Sequence, residues 1–185
     1  MLAITSTVVR PSTEEIDASK SFDVCRLLSA ADIRAELGID VATGQLHDIG
    51  FDEKLAAHSW SCIWFFREQT SGSSDSYQMN DGKRFVILNL MRWSKRDNRA
   101  YEYLQGFRRA AETGELPRAP MTRSMGEEAL WWGDGLAVRQ GLVGFGVSVF
   151  PAPNFVAYPG EIEEKLASRI LEKLTKHDYT RGAGE

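Results

Sequence analysis

The sequence predicts one α+β domain: an antiparallel sheet of about five to six strands with helices packed on it, in the order α-βββ-α-βββ-α. Three observations carry this. Stretches of strict apolar alternation mark strands. Three segments with apolar residues at helical spacing carry start and stop signals. Tight glycine-rich turns join consecutive strands, which must then pair antiparallel. The chain of 185 residues, 43% of them hydrophobic and 26% charged, is the length and composition of a single globular domain.

The first element is a short helix after Ser29. Ser29 and Asp32 form a capping box, Leu28 and Ile33 a hydrophobic staple, and Gly38 the stop, with Leu27, Leu28, Ile33 and Leu37 as the buried face. Residues 44–50 fit a short strand. From His58 to Arg67, Trp60, Cys62, Trp64 and Phe66 share one face and Ser61, Ile63 and Phe65 the other, a strand read as largely covered on both sides. A polar stretch, Thr70 to Lys83, reads as a surface loop. Arg84 to Trp93 is a further long strand.

Ser94 and Asp97 provide a second capping box for the longest helical pattern. Ala100, Tyr103, Leu104, Phe107 and Ala111 recur at helical spacing, and Gly114 closes it. Leu116 to Pro120 reads as a connector. Ala129–Trp132 and Leu136–Gln140 flank the turn triplet Gly133-Asp134-Gly135, and Gly141 turns the chain into the alternating run Val143, Phe145, Val147, Val149. The last helix has Glu161, Glu163 and Glu164 in its first turn, Lys173 near its end, and Ile162, Leu166, Ile170 and Leu174 as its stripe. Residues 1–22 read as a flexible tether, 23–176 as the domain and 177–185 as a tail.

Composition narrows the function classes. No run approaches the ~18 apolar residues of a membrane-spanning helix. Lys plus Arg number 22 against 26 for Asp plus Glu, a net charge of -4, which argues against a dedicated nucleic-acid binder while leaving room for a local basic patch. The two cysteines, Cys25 and Cys62, lack C-x-x-C spacing, and His47, His58 and His177 are scattered, so no metal or cofactor is expected. The cysteines form either a disulfide or two buried thiols. Bridging a loop of roughly 38 residues would stabilise the fold by about 4 kcal/mol. A disulfide implies an oxidising compartment. The N-terminal residues form no export signal of their own, leaving export with the signal removed, or a cytosolic site with reduced thiols.

Several stretches have a familiar order. Asp23-Val24-Cys25-Arg26-Leu27-Leu28-Ser29-Ala30-Ala31-Asp32-Ile33, closing at Leu37-Gly38, resembles the opening of small exported bacterial domains. Those read Cys, two leucines, a capped helix, Leu-Gly, then a second Cys before an aromatic. Cys62-Ile63-Trp64 stands in that second place, with one extra residue before the tryptophan. Met125 to Trp131, Leu136 to Gly141 and Val147-Ser148-Val149 are similar to the second half of the same domains. The family is that of actinobacterial lipoproteins of unknown function and related periplasmic domains, some with a PsbP-like α/β architecture. The resemblance spans residues 23–175. It implies export, a periplasmic or extracellular location, a lipid anchor outside the sequence, and a Cys25–Cys62 bridge; it implies no known reaction.

Candidate chemistry is sparse. No G-x-S-x-G elbow or H-E-x-x-H helix occurs, and Ser71 to Ser74 lie in a polar loop. Gly141, Gly144 and Gly146 are in the wrong order for a dinucleotide loop and lie in a strand, where small residues let a helix approach. Adjacent Glu127 and Glu128 would point to opposite faces of a strand. Arg92, Lys95, Arg96 and Arg99 surround the start of the long helix, either as a solvated face or as a site for an anionic ligand or partner. Neighbouring Trp131 and Trp132 face opposite ways, leaving one exposed unless a helix covers it. A binding site is therefore expected near Trp132 and Arg139, with Arg92 and Arg96 as further candidates. The sequence favours a non-enzymatic exported domain that binds a protein, a cell-envelope component or a small ligand. The alternatives are an immunity-type or adaptor protein that occludes a partner, and an enzyme whose site is assembled from dispersed residues.

Overall fold

A computed structural model describes residues 22–67, 84–93, 99–116, 119–150 and 158–176. The chain enters through a 3-10 turn, Val24–Leu27, where the Asp23 carboxylate accepts the Cys25 N–H at 3.1 Å. Helix α1, Ala30–Leu37, starts and stops as the sequence dictates. The Ser29 hydroxyl accepts the Asp32 N–H at 3.1 Å and the Asp32 carboxylate accepts the Ser29 N–H at 2.8 Å. Gly38 adopts φ 67°, a left-handed turn that lets its N–H reach the Arg34 carbonyl.

Strands β1 (Gln45–Asp52), β2 (Ala57–Phe65) and β3 (Phe85–Trp93) form an antiparallel meander. Helix α2 spans Arg99–Glu112; the expected Ser94–Asp97 box lies outside the described residues. Its other end stops at Gly114, φ 80°, with the Glu115 N–H returned to the Ala110 carbonyl at 2.8 Å. A second meander follows: β4 (Met121–Arg123), β5 (Glu128–Trp131), β6 (Leu136–Gln140) and β7 (Val143–Phe150). Helix α3, Glu161–Lys176, ends the fold. The expected tether and tail lie almost wholly outside the described residues.

The strands make one antiparallel sheet in the order β1-β2-β3-β7-β6-β5-β4. The two meanders are joined where β3 pairs β7, Leu88 opposite Val147. The described sheet has seven strands rather than five to six, and the element order is α-βββ-α-ββββ-α. The added strand is β4, three residues after Pro120 that pair Met121 with Trp131 and Arg123 with Ala129. Three residues at an edge are too few to show an alternation.

Register sorts the side chains into two layers. On one face, Trp60, Cys62 and Trp64 line up with Val86, Leu88 and Leu90 and with Phe145, Val147 and Val149, all buried. The 3-10 turn, α1 and α3 cover them, α3 through Ile162, Leu166, Ile170 and Leu174. The Cys25–Cys62 disulfide fastens the opening turn to β2, with Cα atoms 5.4 Å apart. On the other face lies α2, whose Ala100 meets Ala57 and Trp93 and whose Leu104 meets Leu130 and Ala137. Gly144 permits this approach, since a Cβ there would stand 2.8 Å from the Tyr103 ring.

Candidate functional site

The two faces are covered unequally. Seven strands about 4.8 Å apart make a layer roughly 29 Å across, whereas a helix with its side chains is about 10 Å wide. Helix α2 lies over β5, β6, β7 and the Trp93 end of β3, touching β2 at Ala57. Among the described residues, no helix covers the rest of that face, across β1, β2 and the remainder of β3.

Cross-strand register arranges this open half in rows. Phe65, Phe85 and Phe150 form one end, with ring centroids 6.3 and 5.7 Å apart and Phe150 53% exposed. Gln45, Ile63, Ile87 and Ser148 form the next row, then His47, Ser61, Asn89 and Gly146, then Ser59 and Met91. Ile63, Ile87 and Phe85 are half-buried and Asn89 is exposed. The expectation that β2 is largely covered on both sides therefore holds in full for its tryptophan face; on the other, Ser61 is buried and Ser59, Ile63 and Phe65 are half-buried with no described helix above them.

The opposite end of the open half carries a groove of about 700 Å³. Its apolar lining includes Ile49, Leu55 and Met91; Ser59 and Asn89 supply neutral polar groups. A β-bulge between Asp48 and Gly50 shapes it. Gly50 takes φ 90°, a conformation open to glycine, and its N–H donates to the Asp48 carboxylate at 2.9 Å. The bulge leaves Ile49 66% exposed. His58 Nε2 lies 2.7 Å from Asp48 Oδ1 while its ring stacks on Trp60, centroids 4.2 Å apart. His58, followed by the Gly50 N–H, holds the Asp48 carboxyl below the usual carboxylate range. In the following turn the Asp52 carboxylate accepts the N–H groups of Lys54 and Leu55, at 2.7 and 3.1 Å.

The residues singled out from sequence fall elsewhere. Trp132 is half-buried under α2, stacked on Phe107 with centroids 5.0 Å apart; the helix does cover the outward tryptophan. Arg139 is 7% exposed, its guanidinium 4.7 Å above the centroid of the Tyr101 ring and paired with Glu127, with Glu128 at 3.8 Å. Arg108 of α2 reaches Glu128 at 2.8 Å. Both glutamates converge on Arg139 because Glu127 precedes β5, so strand alternation does not govern it. Arg92 stands opposite His58 and Val143, on the face away from Arg139, so the two cations are not brought together. Arg96 lies outside the described residues.

Glu163 is buried in the first turn of α3, where burial pushes its carboxyl up. At Asp32 burial opposes ionisation, but Lys173 at 2.6 Å and the Ser29 hydroxyl and N–H outweigh it and hold the carboxyl low. No group of three or more His, Cys, Asp or Glu suited to a metal ion occurs among the described residues. The open half-face was missed in sequence. The available signal was a mismatch: two long strands on the N-terminal side, β2 and β3, with apolar residues on both faces and a single helix left for the second. No family model, curated protein or solved structure matches this chain.

Proposed function

We propose that the chain is a non-enzymatic binding domain of an oxidising compartment, and that the open half of its sheet is the binding surface. The observation that carries this reading is the unequal coverage of the two faces. From β2 across to β5 one face is closed by α1, α3 and the opening turn, with Leu46 and Phe51 of β1 left exposed at its edge, while the other leaves the rows from Phe65–Phe85–Phe150 to Ser59–Met91 uncovered by any described helix. Clustered apolar side chains at a surface favour contact with a second molecule over contact with water. The ionisable groups support the same reading, because many are engaged in structural pairs: Arg139 with Glu127, Lys173 with Asp32, Arg169 with Glu36. The disulfide supports export, since such bridges persist where thiols are not kept reduced.

The test places a photo-crosslinking residue at Asn89, exposed in the centre of the open half-face, or at Ser168, exposed on α3, in cells that naturally make the protein. A reproducible adduct at position 89, macromolecular or small, is expected without one at 168. It should disappear when Phe85→Ser and Ile87→Ser are added to a chain that keeps its near-ultraviolet circular dichroism. Equal adducts at both positions, or none at 89, would refute the reading.

A further inference from the structure

We propose that the bulge end of the open half-face holds an uncharged, amphipathic small molecule; this rests on the binding-surface reading above and names the class of one occupant. Three observations select it. The groove, about 700 Å³, falls in the ~300–1,000 Å³ range of small-molecule sites. Its apolar side chains, Ile49, Leu55 and Met91, stand beside the neutral polar groups of Ser59 and Asn89. Asn89 offers both a donor and an acceptor, which fixes an orientation without requiring a charge.

The charges around the groove balance. Asp52 and Glu53 line it with Lys54; the Asp52 carboxylate is taken up by the Lys54 and Leu55 N–H groups, which leaves one carboxylate, Glu53, against one cation, Lys54. Asp48, beyond the bulge, is already paired with His58. A charged ligand would leave the water without an opposing field to receive it, whereas an uncharged one loses little on entry. Strand addition along β1 is the competing use of this region. The bulge between Asp48 and Gly50 interrupts that edge and twists it away from a regular ladder, so the occupant sits on the face.

The test titrates the full chain with N-phenyl-1-naphthylamine, an uncharged fluorophore with an apolar body and one N–H. One saturable site per chain is expected, with binding at least tenfold weaker in the Ile49→Asp/Leu55→Asp double variant. Ile49 is 66% and Leu55 42% exposed, so the fold should survive, as near-ultraviolet circular dichroism checks. Asn89→Ala should weaken binding several-fold. Ser168→Ala, exposed on α3 away from this face, should leave it within twofold. The anionic analogue 8-anilinonaphthalene-1-sulfonate should bind more weakly than the neutral dye. Absent or unsaturable binding, equal affinity in the double variant, equal loss in Ser168→Ala, or preference for the anion would each overturn the proposal. An adduct at position 89 in cells alongside any of these results would leave the binding surface standing and remove this occupant alone.

Discussion

Removing the covalent link between the opening turn and β2 should cost about 4 kcal/mol, a large part of the ~5–15 kcal/mol that holds a domain folded. The perturbation is Cys25→Ala/Cys62→Ala. The bridge spans a sequence separation of 37 residues. Closing a loop of that length removes about 13 cal/mol/K from the unfolded chain, which at room temperature is the stated 4 kcal/mol. Cys62 is fully buried in the tryptophan layer, so trimming it to Ala adds a small packing loss in the same direction. The assay is equilibrium urea unfolding followed by tryptophan fluorescence, with Trp60 and Trp64 flanking the bridge in β2. The midpoint should fall, and the denaturant slope should rise because the unlinked chain exposes more surface when unfolded. Heating should show a melting temperature lower by roughly 8–16 °C for a domain of this size. A loss under about 1 kcal/mol with an unchanged slope would refute the loop-entropy account.

Three further outcomes follow from the charged groups. Arg139→Ala should destabilise by about 2–3 kcal/mol in urea, below the full cost of breaking a buried pair because Glu127 keeps access to water; an unchanged midpoint would show that the Arg139 cluster is not structural. The carboxyls shift in opposite senses and so give opposite pH dependences. Asp32 is held below its ordinary 3.8, so its contribution is present above that value and is lost as pH falls through the folded-state pKa. The stability gap between wild type and Asp32→Asn should therefore close in acid. Glu163 is raised above its ordinary 4.5, so stability declines as pH climbs from there through the folded-state value. Glu163→Gln should gain on wild type towards neutral pH, and a gap that narrows instead would reverse the assignment.

What was legible in the chain follows from the range of the signal. The α1 cap is written within eleven residues: Ser29 and Asp32 bond each other, Leu28 and Ile33 are both buried, and Gly38 takes the left-handed turn. The strand alternation around Trp60, Cys62 and Trp64 and the stripe of α3 were readable for the same reason, since side-chain direction repeats with a period the backbone sets. Strand β4 was not, because three edge residues carry no period. Trp132 and Arg139 were drawn as a surface site because a tryptophan and an arginine on a meander look alike whether solvent or a helix lies above them. Only the position of α2, with Phe107 against Trp132 and Tyr101 over Arg139, half-buries the tryptophan and buries the arginine.

The sequence by itself therefore determined the α+β class, the antiparallel pairing within each meander and which side chains of a strand share a face, all of which depend on neighbours a few residues apart. The resemblance supplied the cysteine pairing, which the structure bears out at 5.4 Å between Cα atoms. Tertiary structure decided that β3 pairs β7, and that places α2 over one half of the second face. Coverage depends on contacts between residues far apart in the chain, so the location of the open surface was settled by packing and not by any local pattern.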